Sequence, residues 1–332
     1  MYDRYLITGA AGFLGRAVTE ELIRRGAEVR ALVLPNDPYA DRLPNAAHAV
    51  TGDVREADSL TEFFAGADGR SCLIHCAGII SIASRPGDRL YQVNVAGTRN
   101  ILRLCSERNV GRLIHVSTVH AIPEKPKGQV MTEECEFSPM LVSGEYAKSK
   151  AAATDMVFDA VRQGLPANVV FPSGIIGPGD LSGGSFTTMI KSFLAGKLPF
   201  TVNGGYDFVD VRDVAAGIID CAEKGKVGKG YILSGRYITI DGMLRIVGEA
   251  ANMKRRAVPI PLALAKLAAP FYEKHSLRSG EPPFFTPYSI SVLGANGLFS
   301  HAAAEEDFGY APRPIEETLR DMTEWLTRQG SN

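Results

Sequence analysis

The sequence predicts an α/β protein, with a doubly wound parallel sheet followed by a smaller C-terminal lobe. Over residues 1–175, short apolar segments of strand type alternate with amphipathic segments of helix type. The first apolar segment ends in a turn that carries Gly9, Gly12 and Gly15, and a helix pattern begins at once. Strand, glycine-rich turn and helix in this order are typical of the βαβ unit that opens such a sheet.

The glycine-rich turn is suited to hold a phosphate group. Backbone N–H donors at the start of a helix, here predicted at 13–25, attract anions together with the positive end of the helix dipole. We expect Gly9 to allow the tight turn, Gly12 to let the backbone approach a pyrophosphate, and Gly15 to let helix and strand pack closely. The predicted dinucleotide contacts are Gly9, Gly12, Phe13, Leu14 and Gly15.

Composition narrows the classes of function. The 332 residues, 45% of them apolar and 22% charged, are enough for one large or two smaller globular domains. A net charge of −1 without long basic runs argues against nucleic acid or an anionic membrane as a partner. No apolar run approaches the ~18 residues of a membrane span, and we expect no cleaved signal peptide, because the N-terminus leads directly into the first strand. Five scattered cysteines indicate a reducing cytoplasm, and no metal site is predicted.

The remaining elements follow in the order of a doubly wound sheet. Strands are predicted at 28–34, 47–51, 71–75, 112–116 and 167–171, and helices at 86–108 and 146–162. The pattern loosens after about residue 175, with helices predicted at 186–195, 211–223, 241–251 and 315–328, and strands at 206–209 and 231–233. We expect a dinucleotide-binding core at 1–175 and a lobe mainly for substrate at 176–332. Residues of about 205–235 would return to the core, and the lobe would contain a proline-containing apolar region at 258–285.

The end of the second strand bears on the cofactor. In such folds an acidic residue there binds a free ribose hydroxyl, whereas an arginine accepts a 2′-phosphate. Leu34 offers neither, but Asp37 is placed to reach the ribose and Arg42 to reach a phosphate. We expect NAD rather than NADP, because no cation stands directly at the strand end.

Later strand ends carry further candidates. Asp53, followed by Val54, stands where it can accept from the adenine amino group, or else it caps a helix at 59–64. Small residues after the fourth strand let the chain pass close to a cofactor. Asn94 either braces the backbone beside that cofactor or bonds only its own neighbours. The candidate residues from these segments are Asp53, Val54, Cys76, Ala77, Gly78 and Asn94.

Tyr146 and Lys150 are the candidate proton-transfer pair. They are four residues apart in a predicted helix, so they share a face. An ammonium close to a phenol favours the phenolate and lowers the phenol pKa. Such a tyrosine exchanges a proton with an alcohol or carbonyl near neutral pH, while the lysine can hold the ribose hydroxyls. Thr118, at the end of the fifth strand, is placed to bond the same substrate oxygen.

Several of these motifs, taken together, resemble the extended short-chain dehydrogenase/reductase family, which includes the NAD-dependent epimerase/dehydratases. They are the glycine turn of residues 8–15, Gly52-Asp-Val54, His75-Cys-Ala-Gly78, Asn94-Val-Ala-Gly-Thr98, Val116-Ser-Thr118, Tyr146-x-x-x-Lys150 and Gly177-Pro-Gly-Asp180. The resemblance implies a Rossmann domain and a nicotinamide dinucleotide. It also implies a homodimer built on the helices of Asn94 and Tyr146.

The resemblance further assigns roles to individual residues. It implies a catalytic set of Thr118, Tyr146 and Lys150, with Thr118 preferred to Ser117. It implies cofactor contacts from Tyr146, Lys150, Pro172 and Ser173 as well.

Two enzymatic branches of the family and one other class of function remain open. Sugar-nucleotide epimerases and dehydratases usually carry an arginine where this chain has Tyr206. The lobe is rich in apolar residues, which either line a hydrophobic pocket or are plain core. We therefore favour a reductase or dehydrogenase similar to dihydroflavonol reductases and 3β-hydroxysteroid dehydrogenases. The alternatives are a nucleotide-sugar epimerase or dehydratase, and a non-catalytic dinucleotide sensor. The apolar residues in question are Pro259, Pro261, Leu262, Leu264, Leu267 and Phe271.

Overall fold

The structure is a computed structural model, which describes residues 1–83, 86–133, 135–254, 256–279 and 286–329. The predicted apolar region at 258–285 therefore lies partly outside the described residues. Where it is described, it forms a short strand and a helix.

Twelve strands lie within the described residues. In chain order they are β1 (Arg4–Thr8), β2 (Glu28–Val33), β3 (His48–Thr51), β4 (Ser71–His75), β5 (Arg112–Val116), β6 (Ala167–Pro172), β7 (Gly174–Ile176), β8 (Phe200–Val202), β9 (Gly205–Asp210), β10 (Gly230–Leu233), β11 (Arg236–Thr239) and β12 (Val258–Ile260).

The helices of the described residues alternate with these strands. They are α1 (Phe13–Arg24), α2 (Arg89–Tyr91), α3 (Thr98–Glu107), α4 (Glu145–Arg162), α5 (Ser185–Leu194), α6 (Val211–Lys224), α7 (Ile240–Ala250), α8 (Leu262–Ser279), α9 (Pro287–Leu293), α10 (Ala302–Phe308) and α11 (Ile315–Gln329). None of these helices combines the length and the apolar character needed to cross a membrane.

Seven strands form one parallel sheet in the order β3-β2-β1-β4-β5-β6-β10. The chain order reverses between β1 and β4, so the crevice expected for a dinucleotide lies at the carboxyl ends of these two strands. β11, β9 and β7 make a second sheet, and β12 pairs with β8. The predicted fold class, a doubly wound α/β sheet, is confirmed.

Two hydrophobic cores cover the two faces of the main sheet. Neighbouring strand residues point to opposite faces, so Leu73 belongs to one core and Ile74 to the other. Ile101 of α3 lies in the first core, and Val18 of α1 and Ile218 of α6 lie in the second. The near-continuous apolar strands therefore follow from burial on both faces.

Steric contacts at two glycines fix the turn after β1. Gly9 has a φ of +65°, and a Cβ there would lie 2.8 Å from Cα of Ala77. A Cβ at Gly15 would lie 2.1 Å from the carbonyl oxygen of Gly9. Both positions therefore require glycine, because a side chain would push α1 and the segment after β4 away from β1.

The predicted helix at 86–108 is interrupted. α2 passes into a π-helical segment, Gln92–Gly97, before α3 begins. The side-chain amide of Asn94, inside that segment, bonds both the N–H and the C=O of Ile79 and also the hydroxyl of Ser149. These bonds to two other elements accompany the local widening of the helix, which local sequence patterns do not reveal.

A buried hydrogen-bond chain joins β1, β4 and α3 beneath the glycine turn. The Thr98 hydroxyl donates to the carbonyl of Asn94, so it accepts from Nε2–H of His75 at 3.1 Å. The bare Nδ1 of His75 then accepts from the Thr8 hydroxyl at 2.7 Å, and Thr8 accepts from the N–H of Ala77. The imidazole is thus neutral, and burial, with Lys150 adding to it, lowers the pKa of His75 to about 3.

We predict that His75 makes the protein less stable in acid. The unfolded chain takes up a proton near the ordinary histidine pKa, whereas the folded chain does so only near pH 3, so stability falls as the pH drops between those values. The free energy of unfolding from urea titrations should decrease by about 1.4 kcal/mol per pH unit from this group in that window.

The substitution His75→Gln should flatten this pH dependence, whereas the exposed His48→Gln should leave it unchanged. Equal slopes for the wild type and His75→Gln between pH 6 and pH 4 would contradict the assignment.

Candidate active site

The polar candidates meet at the carboxyl edge of the main sheet. The glycine turn follows β1, residues 76–79 follow β4, and Thr118 follows β5. α4 begins beside them and carries Tyr146 and Lys150 near its start. Parallel strands place all these segments around one crevice.

A cleft runs from the glycine turn across the ends of β2 to β4. It contains seven residues predicted to bind the cofactor: Gly9, Gly12, Asp53, Val54, Cys76, Ala77 and Gly78. Phe13, Leu14 and Gly15 follow in the first turn of α1, and Pro172 and Ser173 are buried at the end of β6. Asp37 also lines the cleft, whereas Arg42 lies in a short 3₁₀ turn outside its walls.

Asp53 is held in place by Arg55. The guanidinium bonds both carboxylate oxygens, at 3.1 Å and 2.6 Å, and Arg55 N–H donates to Oδ1. The side-chain hydrogen bond from Arg55 keeps the pKa of Asp53 below its ordinary value. The alternative role of Asp53 as a helix cap is wrong, because the following 3₁₀ helix, Ala57–Leu60, begins after Glu56.

The start of α1 fits an anionic group. Its N-cap, Gly12, is extended, and within the described residues no side chain caps the first N–H groups. These donors therefore remain available at the positive end of the helix dipole. Together with the small residues Ala77 and Gly78 across the cleft, they fit the pyrophosphate of a dinucleotide, and Asp37 lines the same cleft.

The two hydroxyls after β5 have different partners. Ser117 bonds the hydroxyl of Thr154 at 2.7 Å and so ties β5 to α4. Thr118 accepts from the N–H of His120 at 3.3 Å, and its side chain acts on Tyr146 in the direction that lowers the pKa of the phenol. Thr118 and Tyr146 thus form a pair at the edge of the crevice, while Ser117 has a structural bond inside the core.

Lys150 is almost completely buried beneath this pair. Its ammonium donates to the carbonyl of Val116 at 2.7 Å and lies 3.5 Å from Nε2 of His115. Burial lowers the pKa of Lys150 to about 8, and it lowers the pKa of His115 well below the ordinary histidine value. The ammonium is therefore directed toward β5.

The structure does not show the predicted lowering of the Tyr146 pKa by Lys150. Burial raises the pKa of the Tyr146 phenol, Thr118 opposes this rise, and Tyr288 adds to it. The physical reason is that the ammonium of Lys150 is engaged by Val116 and His115. Spacing along the helix predicts a shared face but not the direction of a long side chain.

An aromatic cluster of His120, Tyr206 and Tyr288 stands next to Tyr146. The hydroxyl of Tyr206 lies 3.1 Å from Nε2 of His120, and that of Tyr288 lies 3.5 Å from Nδ1. The His120 ring is stacked on Tyr206 and meets the Tyr146 ring edge-on at a centroid distance of 6.2 Å. Burial lowers the pKa of His120 to about 4, so the imidazole is neutral.

Sequence reasoning missed several of these residues. Arg55 and Arg89 line the cleft. Arg55 was predictable, because it follows the candidate Asp53 by only two residues. His120 follows Thr118 by two residues, so its position was also accessible. Tyr288 had no such signal, because 168 residues separate it from His120 in the chain.

Comparison with known proteins agrees with this geometry. The sequence profile of the "NAD dependent epimerase/dehydratase family" matches residues 5–233. The chain is 30% identical to Sterol demethylase protein B of Methylococcus capsulatus, over 98% of both chains. It is also 30% identical to a putative dihydroflavonol 4-reductase of Synechocystis, over 99% of this chain and 96% of that one.

The fold is shared with a solved structure of dTDP-glucose 4,6-dehydratase from Bacillus anthracis in complex with NAD. The TM-score is 0.77 at 18% identity, over 99% of this chain and 97% of the other. The profile match covers more than half of the chain, and the curated relatives match it over nearly their full length. The chain is therefore an extended short-chain dehydrogenase/reductase enzyme, and it belongs to the NAD-dependent epimerase/dehydratase family.

Proposed function

We propose that the protein is an oxidoreductase that transfers hydride between a nicotinamide and a secondary alcohol or ketone of a bulky, partly apolar substrate. The observation that carries the proposal is the pairing of Thr118, after the end of β5, with Tyr146, at the start of α4, beside the dinucleotide cleft. When bound, the nicotinamide supplies the hydride to the carbonyl carbon or accepts it in the reverse direction.

Tyr146 exchanges the proton in this proposal. In the reductive direction its phenol donates a proton to the carbonyl oxygen while Thr118 donates a hydrogen bond to the same oxygen. A phenol with a raised pKa is a protonated donor, which suits reduction. The reverse reaction needs the phenolate and therefore a nearby positive charge.

Lys150 supplies that charge once its ammonium turns away from β5. Lys150 would then hold the ribose hydroxyls of the cofactor in exchange for the carbonyl of Val116 and the imidazole of His115. Cofactor binding and activation of Tyr146 are thus coupled through one side chain. Asn94 fixes the backbone at Ile79, which lines the same cleft.

The surroundings of Tyr146 favour an uncharged, apolar substrate. Tyr206 occupies the position where sugar-nucleotide enzymes usually carry an arginine for the diphosphate, and its ring packs against His120, Phe208 and Phe299. The relatives named for sterol demethylation and for dihydroflavonol reduction support the same class. A nucleotide-sugar epimerase or dehydratase is the alternative, and it would act on its substrate without net change in nicotinamide absorbance.

Further parts of the proposal concern organisation. Residues 1–175 form the dinucleotide-binding part, and residues 176–332 mainly the substrate lobe, except that β10 is a strand of the main sheet and α6 packs on it. The protein acts in the cytoplasm as a homodimer, joined through α3 and α4. A non-catalytic dinucleotide sensor is a weaker alternative, because Tyr146 and Lys150 are both present.

The substitution Tyr146→Phe tests the catalytic proposal. Reduction of apolar ring ketones such as decalone and androstanone, followed by NADH or NADPH absorbance, should fall by about 10²–10⁴-fold, since the proton donor is lost. Cofactor affinity should stay within about twofold of wild type, as no charge near the cofactor is removed.

Tyr91→Phe is the matched control, because the Tyr91 hydroxyl bonds the exposed Glu145 near the same helix end. It should retain wild-type turnover. Full activity of Tyr146→Phe would refute the proton-donor role, and an inactive wild type would refute the substrate class.

The affinity for NADH should depend on the protonation of Lys150. Because the pKa of Lys150 is about 8, the ammonium is present below that pH and is lost above it. NADH binding, measured by fluorescence, should be constant from pH 6.5 to 7.5 and about tenfold weaker at pH 9. Lys150→Met should bind more weakly and without this dependence. A dependence that persists in Lys150→Met would assign it to another group.

The dimer proposal predicts that the protein, at micromolar concentration, sediments with the coefficient of an assembly of two chains. A charge-reversing substitution on the exposed face of α3, Arg103→Glu, should shift the protein toward monomer, because the exposed faces of α3 and α4 would be buried between subunits. Arg70→Glu, exposed outside these helices, is the control. A wild-type monomer at these concentrations would disprove the dimer.

A further inference from the structure

The cluster of His120, Tyr206 and Tyr288 joins three distant parts of the chain beside Tyr146. His120 follows β5, Tyr206 lies in β9, and Tyr288 lies in α9. The ring of Tyr288 occupies the space that a side chain at position 144 would need. A Cβ at Gly144, just before α4, would lie 2.3 Å from that ring. Glycine at 144, with a φ of +92°, therefore allows Tyr288 to stand against the start of the helix that carries Tyr146.

In the hydrogen bonds of this cluster, one of the two tyrosine hydroxyl protons has no acceptor among the described residues. A neutral imidazole has one N–H donor and one bare nitrogen, so one tyrosine donates to it and the other accepts from it. Tyr206 is only 5% exposed and close to Nε2, so its proton goes to that nitrogen. Nδ1–H then points to the oxygen of Tyr288, at 3.5 Å.

The Tyr288 hydroxyl proton is consequently free. Among the described residues, His120 is the one hydrogen-bond partner of this hydroxyl, and the side chain is partly accessible, as are His120 and Tyr146. A donor in an accessible position next to Tyr146 can bond a group of the substrate. Burial raises the pKa of Tyr206, and the carboxylate of Asp207, a charged group acting on the cluster, adds to this rise and disfavours an anion nearby.

We infer that Tyr288, oriented by His120 and Tyr206, is a specificity-determining residue that binds a second, uncharged oxygen of the substrate. This inference rests on the proposed function and narrows its substrate class to apolar ring ketones or alcohols that carry a further hydroxyl or carbonyl oxygen. Tyr146 and Tyr288 then hold the substrate at two points, and the two points set which carbonyl faces the nicotinamide.

The test compares substrates that differ by one oxygen. Decalone and androstanone are paired with their hydroxylated forms, and kcat/KM is measured for each with NADH or NADPH. Wild type should prefer the hydroxylated member of at least one pair by about 3- to 10-fold, the usual range for one neutral hydrogen bond. Tyr288→Phe should bring that ratio close to one, and His120→Phe, which removes the orienting imidazole, should reduce it.

The control is Tyr2→Phe, which removes a tyrosine hydroxyl beside the amino end of β1, at the opposite edge of the sheet. It should retain the wild-type ratio. Absence of a preference in wild type, or an unchanged ratio in Tyr288→Phe, overturns the inference while the proposed function stands. If wild type reduces none of the four compounds, the proposed function and the inference both fail.

Discussion

The contact between Gly15 and Gly9 is the constraint on which the rest of the site depends. Any side chain at Gly15 would meet the carbonyl of Gly9, so α1 approaches β1 closely only because this position has no Cβ. That approach points the uncapped start of α1 into the crevice. The same turn lies against Ala77, and the His75 hydrogen-bond chain fixes the distance between the two segments from below. The open start of α1 and the packing of the core are therefore consequences of one steric condition.

Burial at the carboxyl edge of the sheet then shifts the pKa values of the ionisable groups in the candidate site. Lys150, His75 and His115 lie close together with little access to water, and burial lowers the pKa of each. The same burial raises the pKa of Tyr146. The ammonium of Lys150 donates to the carbonyl of Val116, since a buried charge must have a hydrogen-bond partner. A ligand that brings its own hydroxyl acceptors changes this balance, which links binding to catalysis in the proposed mechanism.

The sequence was most informative where structure depends on local pattern. The strands of the main sheet were predicted to within one or two residues, because most of them are apolar segments buried on both faces and several are followed by glycine or serine. α8 was missed because its apolar residues form no clear stripe at helical spacing and Pro270 lies inside it, while α9 and α10 are too short to show a period. In the site, motif spacing gave Thr118, Tyr146 and Asp53, but Tyr288 and the direction of Lys150 depend on tertiary contacts that no local pattern contains.

Tyr206, an aromatic residue where sugar-nucleotide enzymes usually carry an arginine, connects the two halves of the chain. An arginine at this buried position would need an anion or a carboxylate to compensate its charge. A tyrosine needs only one hydrogen-bond partner, and His120 provides it at 3.1 Å. The imidazole can do so because burial keeps it neutral, and a neutral imidazole has a second nitrogen to offer, which Tyr288 of the lobe meets. In the proposed function, an uncharged donor at this position replaces the positive charge that would bind a diphosphate, and Tyr288 of the lobe then contributes to substrate selection.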